Sequence, residues 1–312
     1  MAGSRVSVAD ALRMGVAAVA TLALAAGCGL GAGPEPANVA LLVTRGFGAQ
    51  TLVSPARPKL VGADTVMRML ERNARVGTRY GGGFVQSINR IAGGGGTDWF
   101  YFVNGVDPRK GAAEVRLHAG DHVWWDRHDW SAAISVPAVV GSFPEPFVDG
   151  YAGKRLPLRI ECTQKDTKPC TAIEHVFARY DLVASLGCLL CAPGNQSLRV
   201  VVGPDATLRA DPAAALLTKN PAASGVYARF EDHGRRLVLL DQNGRVVRTA
   251  GAGAGLVAAT RWHGAPPVWY VTGTDDAGVA AAVRAFNAET LDEHFAVAVV
   301  DQTAIPLPDT LR

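Results

Sequence analysis

The chain has 312 residues, 48% of them hydrophobic and 19% charged, with a formal net charge of +3. So small and dispersed a positive excess excludes the electrostatic footprint of a nucleic-acid-binding protein. The length allows two modest domains, and beyond the N-terminal leader no apolar run is long enough for a membrane helix.

The leader comes first. Arg5 and Arg13 precede an uncharged apolar stretch from Met14 to Gly27. This is the n-region and h-region pattern of a secretory signal. The stretch ends in Leu24-Ala-Ala-Gly-Cys28-Gly, which resembles the lipobox of bacterial lipoproteins, with Ala25 where Leu is commoner. The resemblance implies removal of residues 1–27, diacylation of Cys28 (palmitate-type), and anchorage at the outer face of the cell membrane. Residues 28–37 then read as a flexible Gly/Pro tether.

Val39 to Thr44 reads as a strand, with a second short one near Thr51–Val53. Asp64 is the expected cap of a helix through Arg75, whose apolar face is Val66, Met67, Leu70 and Ala74. Phe84–Ile91 reads as a strand, Gly93–Gly96 as a hairpin loop and Trp99–Val103 as a strong strand. Asn104-Gly105 is the best short-range turn signal in the chain. Ala113–Leu117 and His122–Asp126 are the last expected strands, giving one helix on a mostly antiparallel sheet.

Three strings in this region carry a resemblance: Phe84-Val-Gln-Ser-Ile-Asn-Arg-Ile91, Asp98-Trp-Phe-Tyr-Phe-Val-Asn-Gly105 and Leu117-His-Ala-Gly-Asp-His-Val-Trp-Trp125. In order and spacing they resemble the transcobalamin C-terminal-like domain over about residues 62–130. The resemblance implies a β-grasp fold of the soluble-ligand-binding type, with cobalamin or another corrinoid as ligand. Nothing in the chain resembles the large helical barrel that accompanies this domain in transcobalamin and intrinsic factor.

The expected layout is therefore a β-grasp-like domain over 38–130, a Pro-rich linker over 131–156 wrapping the surface, and a second domain over 157–308. In the second domain Leu158–Glu161 and Ser197–Val202 read as strands. Thr171–Ser185 and Asp211–Lys219 read as helices. Strands follow at Gly225–Glu231, Arg236–Leu240, Arg245–Ala250 and Pro267–Thr272, then a helix over Ala277–Asn287 capped by Asp275, and a closing strand at Phe295–Val300. This alternation argues an α/β layered domain with a mixed sheet, and the whole chain is of the α+β class.

Cys162, Cys170, Cys188 and Cys191 form an even set, as expected for two disulfides in an oxidising compartment. Spacing favours Cys162–Cys170 and Cys188–Cys191, although three connectivities are open. Cys188-Leu-Leu-Cys191 also has the C-x-x-C spacing of a zinc site. A thioredoxin-like role is not expected, because no strand leads directly into a helix starting at Cys188.

Neighbouring side chains of a strand point to opposite faces, so Trp124 and Trp125 cannot share one. Val123 and Trp125 are expected inward, and His122, Trp124, Asp126 and His128 on the other face. An aromatic wall of Trp99, Tyr101 and Trp124, joined by His122, would suit a flat amphipathic ligand. The alternative is that this second aromatic face packs on the other domain. His118, His122 and His128 with Asp121, Asp126 and Asp129 form a dense cluster, for which a solvated strand end is a simpler account than a metal. Gly251–Gly255 lacks the third glycine of a dinucleotide loop and reads as a turn. No catalytic constellation declares itself by spacing, and no cofactor or metal is required. The expected function is a non-enzymatic, lipid-anchored binding protein passing its ligand to a membrane transporter. The alternative is a cell-envelope interaction protein that binds a protein or glycan.

Overall fold

In the computed structural model the described residues are 38–163, 168–191 and 196–310. The leader, Cys28 and the tether lie outside them.

Strand β1 (Ala40–Arg45) is apolar on both faces, the pattern of a strand covered from two sides. It pairs antiparallel with β2 (Gln50–Ala56) and parallel with β7 (His122–Asp129). Strand β6 (Thr97–Val103) joins β7 antiparallel, giving a four-stranded sheet of order β2-β1-β7-β6. Helix α1 (Val66–Asn73) lays Val66, Met67, Met69 and Leu70 on Leu41, Val43, Val123 and Trp125 of this sheet. A small meander of β3 (Val76–Arg79), β4 (Phe84–Ile88) and β5 (Ile91–Ala92) completes this half.

Two details depart from the sequence pattern, and a third follows it. Thr65 caps α1 through its side chain, while the buried Asp64, one residue earlier, pairs with the exposed Arg72. The expected strand over 113–117 does not form. The carbonyls of Ala112 and Val115 accept from the amides of Met67 and Val66, so the segment satisfies the open N-terminus of α1. Asn104 and Gly105 do make the expected turn, with φ of 52° and 73°.

The second half is a seven-stranded mixed sheet of order β17-β16-β14-β15-β10-β8-β9. Its parallel part is β8 (Leu158–Cys162), β9 (Ala184–Cys188), β10 (Leu198–Pro204) and β15 (Val268–Gly273). Its antiparallel part adds β14 (Gly255–Thr260), β16 (Ala296–Val300) and β17 (Thr303–Leu307). The three remaining strands, β11 (Ala228–Glu231), β12 (Arg236–Leu240) and β13 (Val246–Ala250), form a separate antiparallel sheet. Helix α2 (Lys168–Ala178) gives way to a turn in which Asp181 takes φ of 56°, and the last two residues of the expected helix, Ala184 and Ser185, open strand β9. Strand β17 was not expected, because Pro306 weakens its pattern; it sits at the sheet edge, where proline is tolerated.

Helix α3 (Asp276–Ala285) begins at Asp275, whose carboxylate accepts from the Gly278 amide at 2.8 Å. Gly278 has no room for a side chain: a Cβ there would stand 2.1 Å from the Ala254 carbonyl oxygen. The missing side chain lets α3 press directly on β14 and β15.

Helices α2 and α3 cover one face of the large sheet, closing a core of Ile160, Val200 and Trp269 with Ile173, Phe177 and Val279. The other face shares a core with the four-stranded sheet: Leu42, Phe102 and Trp124 meet Val201, Ala258, Tyr270 and Phe295. The described residues accordingly fall in one compact unit. The segment expected as a surface linker is largely interior. Val136, Val139, Val140, Phe143 and Phe147 are buried, and Phe143 meets Phe147, Phe177, Trp269 and Phe286 within 6.4 Å between ring centres. Proline content in 131–156 signals irregular backbone, and irregular backbone here fills the junction between the two sheets.

Candidate functional site

The register of β6 on β7 decides the aromatic question. Tyr101 stands opposite Trp125, Phe102 opposite Trp124, and Trp99 opposite Arg127. Directly opposed residues share a face, so Trp99 and Tyr101 lie with Trp125 on the α1 side, and Trp124 lies on the other. The wall expected from Trp99, Tyr101 and Trp124 is thus divided between two faces, and both are covered. Trp124 is fully buried, with its indole N–H donating to the Thr44 hydroxyl at 2.7 Å and its ring 5.3 Å from Phe295. Trp99 is buried and donates to the Ile91 carbonyl, and Tyr101 stacks on Trp125 at 4.9 Å. Alternation along the strand identified the two faces correctly. It could not show that the second sheet would close over one of them.

The histidine and aspartate cluster separates in the same way. Asp126 accepts from the amides of Phe47 and Gly48, both at 3.0 Å, and from the Thr44 hydroxyl, so it anchors the β1–β2 loop. His128 is buried, 2.9 Å from Asp126 and stacked on Phe100 at 4.4 Å. His118 lies 3.5 Å from Asp121. Among the described residues no three His, Cys, Asp or Glu side chains converge as a metal site. The zinc reading of the cysteines is also overturned. Cys162 bonds Cys170 and Cys188 bonds Cys191, with Cα atoms 6.3 and 5.5 Å apart, so no thiolate is free as a ligand.

His122, of the proposed wall, lines a cavity. Its volume is about 370 Å³, and Arg57, His122, Ser142, Glu145, Asp149 and Asp292 supply its polar lining. The cavity lies where the start of β7 meets the loop Gly141–Pro146, which contains cis bonds before Pro144 and Pro146. Asn104 holds this corner together. Its amide nitrogen donates to Asp121 and to the Gly150 carbonyl, both at 2.9 Å, and its oxygen accepts from the His122 amide at 2.7 Å.

The electrostatics of the corner are unusual. Glu145 is only 7% exposed, and burial pushes its carboxyl up to about 8, helped by the charges of Asp149 and Asp121 and opposed by the Asp149 amide it accepts at 2.9 Å. Burial pushes the His122 imidazole down to about 4. Burial therefore favours the protonated carboxyl and the neutral imidazole, both on the lining of one cavity. Ser142, 4% exposed, has a hydroxyl with no hydrogen-bond partner among the described residues. Glu145 and Ser142 went unnoticed in the sequence because they sit in the supposed linker. The available signal was Phe143-Pro-Glu-Pro-Phe147, a carboxylate between two prolines and two aromatics, which loop composition alone does not call for.

A larger groove of about 1020 Å³ runs beside α2 and α3, with Arg179, Tyr180, Arg284 and His294 on its walls. It contains one group displaced by burial, His294. The smaller cavity combines a raised carboxyl, a lowered imidazole and an unpartnered hydroxyl, and is the better-built site despite its size.

An α+β protein with a buried polar corner between two sheets is what the fold and the site define. Residues 63–129 match a family model described as a domain of unknown function (DUF4430), which spans α1 to β7 and includes His122 but not Ser142 or Glu145. No curated protein matches the chain. Among the described residues no helix is long and apolar enough to cross a membrane.

Proposed function

We propose that this chain is an exported, lipid-anchored binding protein that captures a small polar solute in the cavity between His122 and Glu145 and passes it to a membrane transporter. The leader and Cys28 support the export and anchorage. The observation that carries the binding site is the convergence of Glu145, His122 and Ser142 on one cavity, each with part of its hydrogen-bonding or charging capacity unused. Such groups cost stability where they stand, and a ligand that hydrogen-bonds or ionises them recovers that cost.

The solute best matched to this chemistry carries an amide or a protonated amine. An ammonium beside Glu145 favours its ionised form, so binding expels the carboxyl proton. The match at 63–129 is to a family related to transcobalamin-like domains, which keeps corrinoids among the ligands to test. With Trp124 enclosed, a corrinoid would engage this cavity through one of its amide arms rather than by stacking on Trp124.

The test is calorimetry on the full lipidated chain in detergent, with amine solutes, amide solutes and cobalamin. The expected result is saturable binding at about micromolar Kd or tighter. For an amine, the heat should depend on the buffer's ionisation enthalpy, showing release of a proton. Glu145→Gln should abolish that dependence. Absence of binding by all three classes, or binding indifferent to Glu145→Gln and to His122→Gln, would overturn the proposal.

A further inference from the structure

The four cysteines come together in a way that the binding reading does not use. Strands β8 and β9 run parallel, and Cys162 is the register partner of Cys188 at their C-terminal ends. Partners in a parallel ladder point to the same face, and neighbouring strands lie about 4.8 Å apart. That separation is within the roughly 4.4–6.8 Å between Cα atoms that a disulfide spans. A Cys162–Cys188 bond could therefore form with the strands where they are. The Leu189 amide, donating to the Cys162 carbonyl at 3.2 Å, holds the two strand ends in this register.

The two existing disulfides differ in access. Cys162 and Cys170 are buried, whereas Cys188 and Cys191 are exposed, at the end of the outermost strand of the sheet and just beyond it. Around the exposed pair stand Val183, 92% exposed, with Leu186 and Leu190 also exposed. These are bare aliphatic side chains on and flanking an edge strand, where a polypeptide can approach. Cys170 lies in the first turn of α2, where the helix dipole favours a thiolate and so makes it a better leaving group.

We propose that Cys188–Cys191 is a thiol–disulfide exchange site for protein dithiols, with Cys162–Cys170 behind it as an internal second acceptor. A thiolate of a reduced polypeptide attacks the Cys191 sulfur, and Cys188 leaves as a thiolate. The polypeptide's second thiol then displaces Cys191, so the polypeptide gains a disulfide and Cys188 and Cys191 hold the two electrons and two protons. Cys188 next attacks the Cys162 sulfur, and the Cys162–Cys170 bond breaks with its electron pair and a proton going to Cys170. Cys191 attacks Cys188, restoring Cys188–Cys191 and releasing Cys162 as a thiol. The net change is one dithiol oxidised in the partner and one disulfide reduced in this chain. A second dithiol can then be oxidised at the renewed surface pair. No thioredoxin-like strand-to-helix motif is needed, because the register of β8 and β9 does the positioning.

The test uses the full chain carrying Cys191→Ser, which leaves Cys188 without its surface partner. After incubation at about pH 8, close to the ordinary thiol pKa, free thiols are alkylated and mapped by peptide mass. The expected result is alkylation divided between Cys188 and Cys170, together with a Cys162–Cys188 disulfide. Alkylation of Cys188 alone, with Cys162–Cys170 intact, would refute the internal exchange. In parallel, a reduced two-cysteine peptide with apolar flanks is mixed with the wild-type chain and with Cys188→Ser/Cys191→Ser. Oxidation of the peptide by the wild type only, slowed by Leu186→Asp, supports the surface site. Equal oxidation by both chains would refute it. Because both mutated cysteines are exposed, a far-ultraviolet dichroism spectrum suffices to confirm that each variant is folded.

Discussion

Replacing Glu145 by Gln isolates the electrostatic cost of the cavity. The native carboxyl is held at about 8 against an ordinary 4.5. Between those values the folded chain keeps a proton that the unfolded chain has lost, so stability falls as pH rises through the window. The full displacement corresponds to about 5 kcal/mol, at roughly 1.4 kcal/mol per unit. His122 works from the other side. Its imidazole is held at about 4 against 6.5, so the unfolded chain takes up a proton first as pH falls, and stability is lost between those values. That displacement corresponds to about 3 kcal/mol. Where the two windows overlap the slopes cancel. The pair therefore gives the wild type a plateau bounded by the unfolded-state values of Glu145 and His122, with losses on both sides. Gln keeps the acceptor for the Asp149 amide but has no proton to lose, so the alkaline loss should vanish. The assay is urea unfolding followed by tryptophan fluorescence across the range from about pH 5 to about pH 9, extrapolated linearly to water. The Gln variant should gain several kcal/mol on the wild type across this range, on the order of the displacement above. Parallel curves for the two proteins would show that Glu145 is not held protonated, and the account of the cavity would fail with it.

Trp124→Ala should cost about 3–5 kcal/mol of stability, as expected for a large aromatic removed from a filled core; chemical unfolding checks this, and solute binding by the folded fraction should be unchanged. Arg199 bonds both Glu161 and Asp211 in the interior, with Glu161 at 2.7 Å. Arg199→Met should therefore leave buried Asp211 without a cation and Glu161 with Arg159 alone, at a cost of about 3–5 kcal/mol, while Arg199→Met combined with Glu161→Gln and Asp211→Asn should recover part of the loss in the same assay. Gly278→Ala should lower Tm, because its Cβ would meet the Ala254 oxygen and force α3 away from the sheet; heat-unfolding dichroism reads this out.

Much of the fold was legible because it depends on neighbours in sequence. The Asn104-Gly105 turn, the Asp275 cap of α3 and strands β8, β10, β12 and β16 follow from local conformational preference and two-residue or helical periodicity. The short spacings of Cys162–Cys170 and Cys188–Cys191 also indicated their pairing. The failures have a common origin. The segment over 113–117 was needed to satisfy the N-terminus of α1, β9 was drawn into an edge pairing with β8, and the Pro-rich segment was required to fill a junction. Each of these demands comes from a distant part of the chain.

The sequence by itself determined the α+β class, the alternation that separates Trp124 from Trp125, and the even cysteine set. Only the tertiary structure decided what covers each face. Periodicity specifies which side chains leave water together, but the surface that receives them belongs to other segments. Here the large sheet enclosed Trp124, the cis-proline loop brought Glu145 and Ser142 to His122, and parallel register set Cys188 beside Cys162. A buried carboxyl acquires its displaced pKa from that assembled surrounding, so no local pattern around Glu145 could have announced it.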